Sequence, residues 1–157
     1  MELKFKVEAL LRPEAYPHKP QKIELVQTQM SFVFLTGDYV YKVKKPVNLG
    51  YLDYTTLVKR RFFCHQELEL NRRLCPEVYL AVVPITMSLR GASEPKHRTK
   101  RRGRSNLLCI EGKGKAIEYA VKMRQLPQDR MMDVLLPQGQ VTQEMVAKVA
   151  EKLVSFH

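Results

Sequence analysis

The chain has no apolar run long enough to cross a membrane, and residues 1–16 lack the apolar core of a signal peptide. We therefore expect a soluble, cytoplasmic protein with no membrane partner. Cysteine is scarce as well. Cys64, Cys75 and Cys109 are odd in number and match neither the spacing of a disulfide framework nor that of a zinc site. We expect three reduced thiols, and the sequence indicates no metal site.

Acidic residues are few: 16 Asp and Glu stand against 27 Lys and Arg, which gives 157 residues a net charge of +11. Such an excess predicts an anionic partner, such as a nucleotide, a nucleic acid or an acidic headgroup. More than half of the excess lies in residues 90–104, which hold seven Lys or Arg and one Glu. No aromatic residue interleaves these cations to stack on bases, so nucleic acid is the less favoured partner.

The segment from Ile23 to Pro46 predicts a three-stranded meander. Apolar and polar residues alternate at 23–28, a short apolar run occupies 32–35, and the alternation returns at 39–44. Side chains of a strand alternate between its two faces, so Lys42 and Lys44 share one face of the third strand. Two lysines on one face indicate either a solvated surface or a site for an anionic ligand.

A helix follows, and its period predicts the range from Leu57 to Leu74. Glu67 falls within the apolar arc of this helix, where a carboxylate is costly to bury without a partner. Three partners are open: Asn71 or Arg60 on the same helix, or a lysine of the neighbouring sheet.

Two more apolar runs, at 78–85 and 116–123, predict the fourth and fifth strands. The charged insert between them, 88–115, is expected to be a mobile hairpin extension. The fold class is therefore α+β, with a five-stranded antiparallel sheet, one packed helix and C-terminal connector helices.

Beyond the last predicted strand, the sequence indicates a short helix at 130–136, capped by Asp129, and a second helix that Thr142 caps. The second helix carries an apolar stripe that continues to the end of the sequence (Met145, Val146, Val149, Leu153 and Phe156). We interpret residues 1–127 as one lobe and residues 128–157 as a connector and the first helix of a truncated second lobe. The stripe, at 145–156, then predicts self-association, or contact with the second lobe or a partner chain.

Three segments together carry a family resemblance. They are IELVQTQMSFVFLTGDYVYKVKKPV at 23–47, GYLDYTTLVKRRFFCHQELELNRRL at 50–74 and EYAVKMRQLP at 118–127. The sequence resembles bacterial proteins related to aminoglycoside phosphotransferases, in which a kinase-like domain precedes a second nucleotide-binding domain. The resemblance spans roughly Val7 to His157 and implies the small lobe of a protein-kinase-like fold.

Several residues gain a role from this resemblance. It implies that Lys42 faces the phosphates of ATP and that Glu67 is its ion-pair partner, with Lys44 as the alternate partner. It also implies that Thr28 to Ser31 form the loop over the phosphates and that the hinge at 122–126, with Met123, touches adenine. The loop contains no glycine, so backbone amides and the hydroxyls of Thr28 and Ser31 would have to bind phosphate.

The sequence has no match to the catalytic-loop His-x-Asp, its downstream Asn or the metal-binding Asp of such kinases. We therefore expect a nucleotide-binding lobe that holds no catalytic residue and needs a C-terminal lobe to bind Mg²⁺. Two alternatives are a basic nucleic-acid-binding module that acts through residues 90–104 and a non-catalytic interaction domain.

Overall fold

The structure, a computed structural model, describes residues 2–88 and 107–156, with the side chains of 6–87 and 107–156. These residues form an α+β fold around a curled antiparallel sheet of six strands in the order β1-β2-β3-β6-β4-β5. The elements are α1 (Glu2–Leu10), β1 (Glu24–Gln27), β2 (Ser31–Leu35), β3 (Tyr39–Lys44), α2 (Leu57–Arg72), β4 (Tyr79–Ser88), β5 (Leu107–Ile110), β6 (Ala116–Arg124), α3 (Met132–Leu135) and α4 (Gln143–Phe156). No helix of the described ranges is long and apolar enough to cross a membrane.

The predicted meander is present. β2 pairs with both β1 and β3, and all three strands are antiparallel to their neighbours. The third strand of the meander also pairs with β6, so that Lys42 lies opposite Val121 in the interior of the sheet. The face that carries the two lysines therefore belongs to an interior strand rather than to an edge.

The prediction of five strands was wrong, because a sixth strand, β5, lies within the predicted insert 88–115. All four of its residues are apolar and their burial alternates, with Leu108 and Ile110 buried opposite Met87 and Ile85 of β4. The many cations that precede this short apolar run obscured it in the sequence. The cationic part of the insert, residues 89–106, lies outside the described residues, as does the mobile hairpin predicted for it.

The main hydrophobic core lies on the face of the sheet opposite the lysines, and the N-terminal segment covers it. Ala9 and Leu10 of α1 are buried there, as are Ala15, the last residue of a 3₁₀ turn at Pro13–Ala15, and Tyr16, which follows it. The Tyr16 hydroxyl donates to the carbonyl of Leu10 at 2.6 Å, which fixes the turn against the helix. The segment packs on apolar residues of five strands: Phe32, Phe34, Tyr41, Val43, Val83, Ile85, Leu108, Ile110 and Ala120.

The other face of the sheet carries α2. The Thr56 side chain caps this helix by accepting a hydrogen bond from the Lys59 N–H at 3.2 Å. Cys64 and Leu68 of this helix are buried. Leu70, on the same helix, is 54% exposed. At the C-terminal end, the Arg72 side chain donates to the carbonyls of Tyr79 and Leu80, which joins the helix to the start of β4.

After β6 the chain forms short helices with few buried side chains. The single helix predicted at 130–136 is instead a 3₁₀ turn at Gln128–Arg130 followed by α3, because Met131 has an extended backbone. Asp129 lies in the 3₁₀ turn and caps nothing there. Thr142 caps α4 as predicted, accepting from the Met145 N–H at 3.2 Å. The apolar stripe of α4 lies at the surface: Met145, Val146, Val149 and Leu153 are all exposed.

Candidate functional site

Cross-strand pairing on the α2 face forms three rows of side chains, since directly opposed residues of a sheet project to the same side. In the first row, Lys42 lies between Val33 of β2 and Val121 of β6. The second row, one step nearer to the connector after β6, is formed by Leu35, Val40 and Met123. The third row places Ser31 opposite Lys44. The two lysines thus adjoin a largely apolar surface.

Glu67 reaches this surface from α2 and binds both lysines. Its Oε1 accepts from Lys42 Nζ at 2.9 Å, and its Oε2 accepts from Lys44 Nζ at 2.7 Å. The predicted ion pair between Lys42 and Glu67 is therefore present, and Lys44, predicted as an alternate partner, takes the second oxygen. The two ammonium groups differ in access: the Lys42 side chain is 31% exposed and that of Lys44 only 4%. The cluster holds two positive charges against one negative charge.

The two other partners considered for Glu67 are engaged elsewhere. The Asn71 amide donates to the backbone carbonyl of Glu67, at 2.8 Å, and not to its carboxylate. Arg60 binds Glu118 of β6 instead, and it also donates to the backbone carbonyls of Tyr54 and Thr55. Sequence reasoning missed the role of Glu118, because nothing local links an acidic residue of β6 to a helix about sixty residues earlier.

The charges of the cluster shift one another's pKa values. Burial alone would raise the pKa of Glu67, but hydrogen bonds from Lys44 and Lys42 outweigh it and hold that pKa below its usual range. For Lys44, burial would lower the pKa of the ammonium, whereas its hydrogen bond to Glu67 and the charge of that carboxylate leave the pKa raised. Both groups are therefore charged at neutral pH.

The predicted phosphate loop, Thr28 to Ser31, is a tight turn in which several polar groups form hydrogen bonds with one another. Thr28 Oγ1 accepts from the Ser31 N–H at 3.0 Å, and the Thr28 N–H donates to the Ser31 carbonyl at 3.0 Å. Ser31 is 2% exposed, next to Lys44. Lys45 tightens the loop, donating from its backbone N–H to Met30 and from Nζ to the Thr28 carbonyl. The exposed part of the loop is Thr28 and Gln29.

The predicted hinge, 122–126, begins inside β6, which extends to Arg124. Met123 is half-buried on the Lys42 side of the sheet, opposite Val40. Lys122 points to the other side, where its Nζ lies 4.4 Å from the Tyr39 ring centroid and 2.6 Å from Glu111 Oε1. The connector proper begins at Gln125, which exchanges hydrogen bonds with the turn between β2 and β3.

A cleft of about 780 Å³ opens at this connector end of the sheet and was not predicted. Its lining includes Val26, Leu35 and Gln125, together with His18 and Lys22 from the N-terminal segment. Val26 and Leu35 belong to the same face as Lys42, although Lys42 and Glu67 themselves do not line the cleft. Such a cleft arises from residues far apart in sequence, so no local pattern indicates it.

The described ranges contain no candidate metal site, because no group of three or more His, Cys, Asp or Glu in them is placed to hold an ion. The three cysteines carry no disulfide. His18 lies among the rings of Tyr16, Tyr39 and Tyr41 and shares a 3.0 Å hydrogen bond with Thr36 Oγ1.

Comparison with known proteins supplies sequence relatives but no function. The chain is similar to uncharacterised proteins of two Mycobacterium tuberculosis strains and of Mycobacterium bovis, each 32% identical over 139 residues. Each alignment covers 82% of this chain and 28% of the relative, so the chain spans little more than a quarter of those proteins. No model of a known protein family matches the chain, and no solved structure matches it significantly.

Proposed function

We propose that this chain is the nucleotide-binding N-terminal lobe of an aminoglycoside-phosphotransferase-like kinase and binds ATP without transferring its phosphate. The observation that carries the proposal is the Lys42 ammonium, which a helix carboxylate holds on an interior strand while it stays accessible. A lysine of the third strand paired with a glutamate of the following helix is the arrangement by which kinase small lobes orient nucleotide phosphates. The strand order, with the last strand beside the third, supports the same lobe.

The residues around Lys42 fit a nucleotide. Val33 and Met123, which are both half-buried, offer an apolar surface for a base, and Lys42 offers a cation for phosphate oxygens. The adjoining cleft at the connector end supplies space beside the second row. ATP would bring the transferable phosphoryl group, and the role of this chain is to bind and orient it.

The turn from Thr28 to Ser31 contributes less than a glycine-rich loop would, because the Thr28 hydroxyl and the backbone N–H groups of Thr28 and Ser31 already make hydrogen bonds that close the turn. We therefore expect modest affinity that depends on Lys42. Mg²⁺ does not fit the described residues alone, since they offer no cluster of carboxylates. Its ligands would have to come from a second lobe, as would the base and the acceptor site, and the longer relatives have room for such a lobe.

Titration of the chain with ATP by calorimetry tests the proposal. Lys42→Met should weaken binding about tenfold or more, a factor that corresponds to about 1.4 kcal/mol. The matched control is Lys59→Met, which removes an exposed lysine of α2 paired with Asp53 and away from the site. Equal affinities of the two variants, or no binding by the unmodified chain, would contradict the proposal.

Activity and salt dependence provide two further checks. We expect this chain not to phosphorylate aminoglycosides with ATP. If the chain does so and the Lys42→Met variant does not, the proposal that it binds ATP without transferring phosphate is wrong. The alternative, nucleic-acid binding through residues 90–104, predicts an affinity for oligonucleotides that falls steeply with salt. Binding of ATP that involves one lysine and an apolar surface should fall much less.

A further inference from the structure

We infer that Lys44 is the permanent counter-ion of Glu67 and a positioning residue, which allows Lys42 to leave the carboxylate for a ligand phosphate. The inference deepens the proposed function and rests on it for the ligand-bound state. One lysine then neutralises Glu67 and the other binds the phosphate, whereas in a lobe with one lysine a single side chain must do both.

The surroundings of the two lysines differ in ways that support this division. Lys44 Nζ is held by Glu67 Oε2 at 2.7 Å and lies 3.4 Å from the Tyr54 hydroxyl and 4.8 Å from the centre of its ring. Its side chain is 4% exposed, so no ligand reaches it without moving protein atoms. Lys42, by contrast, is 31% exposed and has Glu67 Oε1 as its hydrogen-bond partner on α2.

Charge balance explains why two lysines are useful. The Glu67 side chain is 13% exposed, and a buried carboxylate that loses its cation is strongly destabilised. If Lys42 turned to a phosphate in a site with one lysine, Glu67 would lose its counter-ion as the ligand bound. With Lys44 on the second oxygen, Glu67 stays compensated, and Lys42 is released at much lower cost. The other titratable groups that face the cluster, Cys64, Tyr54 and Tyr79, supply no cation.

The same contact keeps α2 attached to β3 whether or not a ligand is present. Lys44 belongs to β3 and Glu67 to α2, so their pair connects the helix and the strand independently of Lys42. The inference therefore predicts that α2 does not swing on ligand binding.

Titration of the Glu67 side-chain carboxyl by ¹³C NMR, without nucleotide, tests the first half. Lys44→Met should raise the pKa of Glu67 more than Lys42→Met does, and Lys44→Arg should restore most of the depression. An equal or larger rise in Lys42→Met would overturn the inference. If Lys44→Met does not fold, ammonium hydrogen exchange in the unmodified chain decides: the Lys44 signal should exchange more slowly than those of Lys42 and Lys59, and equal rates would contradict it.

The second half is tested by adding ATP to chain with ¹⁵N-labelled lysine. The Lys42 ammonium signal should shift on saturation while the Lys44 signal stays in place. Equal shifts of both signals would overturn the inference, because Lys44 would then share the ligand. Absence of ATP binding would contradict the proposed function, and with it the role of Lys42, whereas the nucleotide-free experiments would still decide whether Lys44 is the main partner of Glu67.

Discussion

The guanidinium of Arg60 and the carboxylate of Glu118 form a bidentate pair, with Nε to Oε1 and Nη2 to Oε2 each at 2.9 Å. Both side chains are less than a tenth exposed. The pair joins the start of α2 to β6, the strand that lies beside Lys42. It therefore helps to set the position of α2, and with it of Glu67, relative to the two lysines. The pair thus connects α2 to the sheet next to the candidate site.

Arg60→Met should therefore destabilise the fold strongly. Among the described residues, the substitution leaves buried Glu118 with Lys6, at 3.8 Å, as its remaining cation. Removal of one partner of a buried pair costs about 3–5 kcal/mol. Urea unfolding followed by circular dichroism measures the loss. Lys59→Met, one residue earlier but exposed, is the control and should shift the midpoint far less. Similar midpoints for the two variants would show that the Arg60 pair contributes little.

The contribution of Glu67 to stability should disappear in acid. Because its pKa in the folded chain is lowered, the ionised form is favoured by folding at pH above the usual glutamate pKa, and this contribution is lost as the pH falls through the lowered value. The difference in unfolding free energy between the unmodified chain and Glu67→Gln should thus be largest near neutral pH and shrink in acid, below pH of about 4. Glu69→Gln, at an exposed position of the same helix, is the control. A difference that is independent of pH would contradict the role assigned to the lysines.

Cys64 should be the least reactive thiol. Burial raises its pKa to about 12, so almost no thiolate exists at pH 8, and the side chain is also inaccessible. Cys75 and Cys109 are partly exposed. With a chromogenic disulfide reagent, we expect Cys64 to react only after denaturant is added. Mass mapping that finds Cys64 among the first sites modified in the native chain would rule this out.

The exposed stripe on α4 should make the chain associate with a second copy. Each large apolar side chain left in water forgoes roughly 1.5–3 kcal/mol relative to burial, and several lie together on one side of this helix. Light scattering should show a mass that rises with concentration, and Leu153→Glu should return it to that of a monomer. Val58→Glu, which alters an exposed valine on α2, should leave association intact. A monomer at every concentration would exclude self-association.

Strands with alternating apolar and polar residues, and helices with a regular apolar period, could be predicted from the local sequence. The sides taken by Lys42 and Lys44 follow from strand alternation, and the need of Glu67 for a cation follows from its place in an apolar arc. Contacts between residues far apart in sequence could not be predicted. Helical spacing made Arg60 a possible partner of Glu67, and only the folded chain shows that its guanidinium binds Glu118. Likewise, nothing in the first twenty residues indicates that Tyr16 would cover the core.

The position of β6 in the sheet has a consequence for how the chain folds as it is made. This strand lies between β3 and β4, yet it is the last of the six to leave the ribosome. Until residues 116–124 are synthesised, the meander β1–β3 and the pair β4–β5 have no strand to join them, and the core that spans both is incomplete. The contacts that complete the sheet are thus long-range, which slows folding. We expect nascent chains that end before Ala116 to expose both halves to aggregation, and the sheet to form in one cooperative step once β6 is available.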